Sequence, residues 1–222
     1  MAFIVPLPEG TCLTEGFVRR CLGHLAGQGF QRVITGALSP EEQPGFLEAG
    51  FTVHERLQLL LLDTTAAPAP VPPGPRLHLA GPWRRRGLLE VDARAFAPFW
   101  RLDQTGLREA LNATRKRRLR VALGPGRQVS AYAICGAAGG RGFVQRLAVA
   151  PEAQHQGLGR RLLLDGVHWL RSVGVAVVAV NTQQDNHAAL SLYRRAGFRD
   201  DPRGLAVLAF DLVPAPARAL GP

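Results

Sequence analysis

The sequence predicts an α/β (α+β) fold in which a mixed central sheet, flanked by helices, is preceded by a smaller α/β lobe. Three short apolar segments within residues 119–150 are separated by glycine-rich stretches, which is typical of an antiparallel meander. Residues 151–212 then alternate helical and strand periodicity. Residues 11–63 alternate in the same way and end before a proline-rich segment, which indicates a separate lobe.

The composition predicts a soluble globular protein. At 222 residues the chain is long enough for one large domain or for one and a half small ones. The longest apolar runs, such as residues 175–180, are far shorter than the roughly 20 residues that cross a bilayer. Residues 1–6 lack a basic region followed by a long apolar segment, so we expect no signal peptide and a cytoplasmic location.

The charge and the cysteines carry little functional information by themselves. The formal net charge of +10 favours acidic partners, either a phosphorylated cofactor or nucleic acid. Only Lys116 is a lysine among the 27 basic residues, a bias that a GC-rich coding genome would also produce. Cys12, Cys21 and Cys135 are odd in number and widely spaced, so we predict neither a disulfide framework nor a metal site.

The pattern of the first lobe is helix, strand, helix, strand. Apolar residues recur at helical spacing over about 15–27, and residues 31–37 have the pattern of a short strand. Ser39 precedes a proline and two glutamates, which is typical of a helix N-cap, so a second helix is expected from there to Gly50. A strand over residues 51–63 completes the lobe.

The end of this lobe is repeated near the C-terminus. Ala49–Phe51 and the strand after them parallel Ala196–Phe198 and the last strand of the chain, with an offset of 147 to 148 residues. Phe46 stands where the later copy has Tyr193. The first lobe is therefore predicted to be a structural half-repeat.

Two groups of cations accompany the elements that follow. Arg84–Arg86 are interpreted as solvated surface rather than as a nucleic-acid contact. Residues 115–118 follow a predicted helix, and cations at a helix C-terminus stabilise it, which is a sufficient reason for this cluster. The cluster could also contact an acidic substrate, RNA or a cofactor phosphate. The predicted elements are a strand at 76–80, an aromatic-rich helix and loop at 88–103, a helix at 104–114, and strands at 119–123, 129–137 and 142–150.

The segment Arg146–Leu164 joins the third of these strands to an amphipathic helix. A turn at the start of a helix leaves its first N–H groups unpaired, and the helix dipole favours an anion there. Gly157 and Gly159 would let a bulky ligand approach the backbone. We therefore predict a phosphate-binding elbow. A buried strand at 175–180, a helix capped by Asp185 or Asn186, and a strand at 205–212 end the lobe.

Two motifs carry a resemblance to a known family. Gln154-His-Gln-Gly-Leu-Gly159 fits the Q/R-x-x-G-x-G/A pyrophosphate loop of the GNAT acyltransferase superfamily. Asn186–Phe198 fits that family's N-x-x-A-x-x-L-Y-x-x-x-G-F pattern at every fixed position. The resemblance covers about 78–213 strongly and 1–63 weakly. It implies a GNAT domain at 76–213, after a degenerate half-domain at 1–65 and a proline-rich linker at 66–75, with a tail at 214–222.

The resemblance also implies a donor and a set of site residues. The donor is acetyl-CoA, a co-substrate that gives its acetyl group directly to an amine. Tyr193 is implied as the acid that protonates the departing thiolate. The cofactor-binding residues implied in the same way are Leu147, Ala148 and Val149 along the pantetheine arm, Gln154, Gly157, Gly159 and Arg160 at the pyrophosphate, and Asn186 near the pantetheine.

The acceptor side departs from the family pattern. Related enzymes that acetylate protein N-termini carry a glutamate where this chain has Asn181, and an asparagine cannot act as a base. Asp92 or Asp103 could act through water, or the amine could arrive neutral. Phe96, Phe99 and Trp100 lie where the family shapes its acceptor pocket, and they could equally be core.

The leading hypothesis is an N-acetyltransferase that moves an acetyl group from acetyl-CoA to a primary amine. An inactive acyl-CoA-binding regulator is the alternative, because Asn181 replaces the base. A basic nucleic-acid-binding protein is a third reading, and nucleic acid is not an expected partner. The expected partners are an amine, on a small molecule or a protein, and no membrane; the chain is expected to be a monomer or a homodimer.

Overall fold

The structure, a computed structural model, describes residues 1–6 and 13–212. Cys12 and the predicted tail at 214–222 lie outside the described residues. In chain order the elements are β1 (Ala2–Ile4), α1 (Glu15–Gly27), β2 (Arg32–Leu38), α2 (Pro44–Glu48), β3 (Thr52–Asp63), β4 (Leu77–Leu79), α3 (Arg85–Ala95), α4 (Gln104–Asn112), β5 (Lys116–Leu123), β6 (Val129–Ala138), β7 (Arg141–Val149), α5 (Leu158–Ser172), β8 (Val177–Gln183), α6 (His187–Arg195) and β9 (Arg199–Asp211). The predicted α/β (α+β) class is confirmed, since both parallel and antiparallel strand pairs occur.

The described chain divides into two compact units, each with its own apolar core. The division passes through β3 between Leu59 and Leu60. The first unit holds residues 1–59, 181–186 and 201–212, and the second holds residues 60–180 and 187–200.

The proline-rich segment belongs to the second unit and is packed against it. Ala69 and Val71 contact the apolar core of that unit. His168 Nε2 lies 2.9 Å from the Ala69 carbonyl oxygen, and Arg161 donates a hydrogen bond to the Pro72 carbonyl. The domain limits predicted above, with their linker at 66–75, remain a hypothesis.

The first unit has the strand order β1-β2-β9-β3, with β1 parallel and β9 antiparallel to β2. Both predicted helix starts are confirmed by their caps. The Thr14 side chain accepts from the Phe17 N–H, and the Glu42 carboxylate accepts from the Ser39 N–H at 2.8 Å. After Ser39 the chain forms a short 3₁₀ turn at Pro40–Glu42, and α2 begins only at Pro44. The second predicted helix is therefore divided into two short pieces.

The second unit has the strand order β8-β7-β6-β5-β4. Neighbouring strands from β4 to β7 are antiparallel, which confirms the predicted meander. β7 pairs in parallel with β8, as expected for strands joined by the crossover helix α5. Helices α3 and α5 both contact β6 and β7.

The cationic residues 115–118 were predicted at the end of a helix, but most of them lie in a strand. Residues Lys116–Arg118 do not extend the preceding helix terminus, because they form the start of β5 and pair with Cys135–Ala137 of β6. Pairing with a long neighbouring strand overrides the local charge pattern. For a similar reason β9 starts at Arg199, earlier than the predicted strand at 205–212.

The sequence repeat has a geometric counterpart. Gly50 and Gly197 have φ angles of +99° and +97°, which favour glycine. The Phe51 N–H bonds to the Phe46 carbonyl at 3.0 Å, and the Phe198 N–H bonds to the Tyr193 carbonyl at 3.1 Å. This likeness supports the half-repeat, which remains an evolutionary hypothesis.

Among residues 1–6 and 13–212, no helix combines the length and the apolar character needed to cross a membrane. In the same residues, His, Cys, Asp and Glu side chains form no group of three or more that could hold a metal ion.

Candidate active site

The predicted elbow is present as an uncapped helix start. β7 ends at Val149, a 3₁₀ turn follows at Pro151–Ala153, and Gly157 is the N-cap of α5 with a φ of +78°. No side chain caps this helix, and the first bond from its interior runs from the Arg161 N–H to the Gly157 carbonyl at 3.0 Å. The N–H groups of the first turn therefore lack intrahelical acceptors and can serve an anion.

The two glycines of the elbow differ in their surroundings. A Cβ added to Gly157 would meet nothing within 4 Å, so this position is open. A Cβ added to Gly159 would lie 3.5 Å from Leu192 and 3.7 Å from Val149, which is ordinary van der Waals contact. Gly159 could therefore carry a methyl group unless a ligand comes close.

Only one of the two consecutive arginines in α5 is free to reach a phosphate. Arg160 is exposed and has no ion-pair partner among the described residues. Arg161 is occupied by the Pro72 carbonyl. The Gln154 side chain folds back onto the elbow, since its Nε2 donates to the Val149 carbonyl at 3.2 Å.

The C-terminal half of β7 has an edge without a strand partner. The parallel pairing with β8 covers only Arg141–Phe143, and in the described residues β7 continues to Val149 paired with β6 alone. A bulge at Gln145 interrupts the β6 pairing just before this stretch. The outer backbone groups of Leu147–Val149 are thus positioned to bind an extended ligand by strand addition.

Tyr193 lies on α6 in the core of the second unit. Its side chain is 6% exposed and its ring centroid is 5.8 Å from that of Phe198. Burial, together with the nearby Cys135, raises the pKa of the Tyr193 phenol to about 12. The phenol therefore keeps its proton at neutral pH and can supply a proton but cannot act as a general base.

Asn186 and Asn181 belong to the short segment 181–186 of the first unit. The Asn186 side chain donates to the Thr182 hydroxyl at 3.1 Å, directly before α6 begins. Asn181 is exposed and carries no ionisable group. The role of Asn186 at the pantetheine stays a prediction.

Asp92, one of the two carboxylates considered as a base, is saturated with hydrogen bonds. It is fully buried on α3. One oxygen accepts from the Leu102 N–H at 2.7 Å and the other from the Tyr132 hydroxyl at 2.5 Å. Arg146 binds both oxygens at 2.8 Å. With two donors on each oxygen, Asp92 has no lone pair left for a substrate proton.

Asp103 is also engaged. Its Oδ1 accepts from the Gly106 N–H at 2.7 Å and so caps α4. Both carboxylates thus have structural roles, and the suggestion that Asp92 could act as the base is wrong for this geometry. The Asp103 cap uses only one oxygen of an exposed carboxylate, so a base role for Asp103 stays a prediction.

The cluster around Arg146 was missed by the sequence reasoning. Besides Asp92, the guanidinium donates to the Trp100 carbonyl at 2.6 Å and lies 3.5 Å from the centroid of the Phe96 ring. Through these contacts Arg146, a residue of β7, holds the aromatic-rich loop against the sheet. One available signal was Asp92 itself, an acid next to Val91 on the apolar face of a helix, since a charge at a core position requires a partner.

The comparisons with known proteins agree with this geometry. Residues 92–198 match the family model described as Acetyltransferase (GNAT) family. The mycothiol acetyltransferase of Pseudarthrobacter chlorophenolicus is 49% identical over 57 residues, which are 26% of this chain and 18% of that protein. The match therefore spans less than a fifth of that relative.

Solved structures share the fold at low identity. The GCN5-related N-acetyltransferase from Kribbella flavida has a TM-score of 0.64 at 18% identity, over 98% of this chain and 83% of that one. A tandem GNAT protein from the clavulanic acid biosynthesis pathway has a TM-score of 0.66 at 13% identity, over 90% and 70%. These likenesses concern the fold alone.

Proposed function

Since this chain carries a domain of the GNAT acetyltransferase family at residues 92–198, we propose that it transfers an acetyl group from acetyl-CoA to a primary amine. The observation that supports this most directly is the uncapped start of α5 at Gly157, directly after the unpaired edge of β7. An anion site and a strand edge in this order suit a ligand with a diphosphate and an extended amide-bearing arm.

The residues present fit acetyl-CoA. Gly157 and Gly159 leave the helix start accessible, and Arg160 adds a free positive charge for the diphosphate. The backbone of Leu147–Val149 would orient the amide-bearing arm. When bound, acetyl-CoA supplies the thioester carbonyl that the amine attacks.

Tyr193 would provide the proton for the departing thiolate. Its raised pKa, about 12, keeps the phenol protonated over the whole working range of such an enzyme. A thiol has a reference pKa of about 8.5, so proton transfer from a phenol of higher pKa to a solvated thiolate is uphill. Exclusion of water from the site would raise the pKa of the thiol as well and so narrow this difference.

The acceptor amine is proposed to arrive neutral. Asp92 is saturated, Asp103 caps a helix and Asn181 is not ionisable. The pH profile of kcat/KM is therefore expected to follow the pKa of the amine itself. With an α-amino substrate, kcat/KM should rise tenfold per pH unit up to about pH 8, and with a lysine-like amine up to about pH 10.

The measurement is kcat/KM against pH for two amines that differ in pKa, with thiol release as the signal. An inflection that moves with the amine supports the proposal. An inflection at one pH for both substrates would reveal a base on the enzyme and contradict it.

The glycine at position 157 offers a test of the diphosphate site. We expect Gly157→Ala to weaken acetyl-CoA binding by about tenfold or more, because the added methyl group would enter the open space at the helix start, a cost of about 1.4 kcal/mol. The matched control is Gly29→Ala, because Gly29 has a similar φ of +80° and a Cβ there also meets nothing within 4 Å. Both variants place an alanine in the left-handed region, so each should lose about 1–2 kcal/mol of stability.

Calorimetric titration with acetyl-CoA measures both variants. The control should keep the affinity of the parent protein despite its similar loss of stability. Unchanged affinity in Gly157→Ala would place the diphosphate elsewhere.

A regulator that binds acyl-CoA without transferring the acyl group is the second candidate. The saturation of Asp92, the capping role of Asp103 and the absence of an ionisable group on Asn181 favour it. Binding of acetyl-CoA with no transfer to a broad panel of amines, small molecules and peptides included, would support this reading. Transfer to any one of them would exclude it.

The remaining attributes belong to the same proposal. The acceptor is an amine on a small molecule or a protein, nucleic acid is not an expected partner, and the chain acts as a monomer or a homodimer. Cys21 and Cys135 are free thiols, which suits a reducing compartment, and we propose the cytoplasm.

A further inference from the structure

The outer end of the sheet in the second unit carries a groove of about 410 Å³. We call it the edge groove; its main lining residues are Leu79, Arg85, Leu111, Arg117, Leu119 and Trp169. It lies around β4 and β5, away from the strand end and helix start that form the proposed acetyl-CoA site. The proposed transfer reaction assigns it no role.

The first residues of β5 form a free strand edge beside this groove. β4 is the terminal strand, and it pairs with β5 only as far as Leu79 opposite Arg120. The Leu119 carbonyl accepts from the Ala80 N–H at 3.3 Å and so points away from β6. Because alternate residues of a strand point their backbone groups to the same side, Arg117 presents its N–H and C=O on that edge.

The floor of the edge groove is apolar and open. Leu79 is 68% exposed, and the neighbouring Trp83 is 79% exposed, both unusual for side chains of this size. Leu111, Leu119 and Trp169 are only partly buried. An apolar surface with a polar rim is typical of an interaction site.

The rim of the groove is positively charged. Arg85 and Arg117 are exposed, and neither has a carboxylate partner in the described part of the chain; Arg117 donates only to the Asn112 side chain at 3.3 Å. Arg118, by contrast, is paired with Asp165 at 3.1 Å, a carboxylate that it shares with Arg120. Two arginine groups that are about 30 residues apart in the sequence thus meet at one groove with uncompensated charge.

We propose that the edge groove binds an extended acidic peptide segment of a partner protein. The peptide adds to the free edge at Arg117, places alternate apolar side chains against Leu79 and Trp169, and sets the intervening carboxylates on Arg85 and Arg117. Strand addition provides backbone bonds and the alternation of the side chains provides specificity. Nucleic acid would satisfy the arginines but would leave the strand edge and the aliphatic floor unmatched.

The test uses a fluorescent peptide with alternating glutamate and leucine, six residues long, and measures its binding by anisotropy. We expect the double variant Arg85→Glu/Arg117→Glu to bind the peptide at least about tenfold more weakly, since rim charges are reversed. Arg56→Glu, an exposed arginine of the first unit, is the matched control and should bind as the parent does. A peptide with lysine in place of glutamate should bind poorly.

Hydrogen exchange provides a second readout that does not depend on charge. The amide of Arg117 should become protected when the peptide binds, because its N–H gains a strand partner. Three results would overturn the proposal: no binding by the parent protein at millimolar peptide, equal binding by the double variant, or tighter binding of an oligothymidylate of equal charge. The last result would assign the groove to nucleic acid.

Discussion

Replacement of Asp92 by asparagine is expected to lower the free energy of unfolding by about 3–5 kcal/mol. The asparagine side chain has nearly the same shape, so the loss reflects charge rather than volume. Arg146 is 13% exposed at its side chain, and in the variant its charge would stay in the interior without a counter-ion. The Tyr132 hydroxyl and the Leu102 N–H would also lose an ionised acceptor.

Urea denaturation of Asp92→Asn and of a control on the same helix measures this effect. The control is Glu90→Gln, which breaks the exposed pair between Arg86 and Glu90. An exposed pair of this kind contributes about 0.5 kcal/mol or less, so the control should unfold nearly as the parent does. A loss of less than about 1 kcal/mol in Asp92→Asn would mean that Arg146 reaches water and that the cluster does not hold the loop.

Tyr193→Phe is expected to reduce kcat by about 10²- to 10⁴-fold, the usual contribution of a positioned acid. The phenol keeps its proton because burial raises its pKa to about 12, and phenylalanine has no proton to give. The affinity for acetyl-CoA should change little, since the ring remains and its packing against Phe198 is retained. Steady-state kinetics and calorimetric titration separate the two quantities.

The second tyrosine of the chain is the matched control. Tyr132→Phe removes the hydroxyl that donates to Asp92, so it should cost about 1.5–3 kcal/mol of stability while kcat stays near that of the parent. Tyr193→Phe is thus expected to lower kcat, whereas Tyr132→Phe is expected to lower stability and to leave kcat nearly unchanged. A Tyr193→Phe enzyme with normal turnover would remove this residue from the acid role.

Local features were predictable because their causes lie within a few residues. Thr14 caps a helix that starts at the next residue, and Gly157 supplies the left-handed backbone conformation that opens the elbow. The glycine-punctuated meander and a strand after Gly174 also follow from short-range patterns, although β8 covers Val177–Gln183 and is buried only at alternate positions. The mixed sheet and the family resemblance were therefore available from the sequence.

Features that join distant residues were not predictable in this way. Asp92 and Arg146 are 54 positions apart, and Arg118 and Asp165 are 47 apart. The sequence presented Asp92 as a possible base and residues 115–118 as a charged helix end. In the folded protein, Asp92 accepts hydrogen bonds from four donors. Residues 116–118 form a strand instead of a helix end, because pairing with β6 satisfies their backbone groups.

The sequence by itself determined the elbow, the helix caps, the order of strands and helices from α1 onward, and the tyrosine that the proposed reaction needs; β1 was not predicted. Only the tertiary structure decided which charges are neutralised and which are free, leaving Arg160 open while Arg161 binds the proline-rich segment. The reason is physical: backbone conformation responds to neighbouring residues, whereas the state of a charge depends on the groups that folding places within a few ångströms of it.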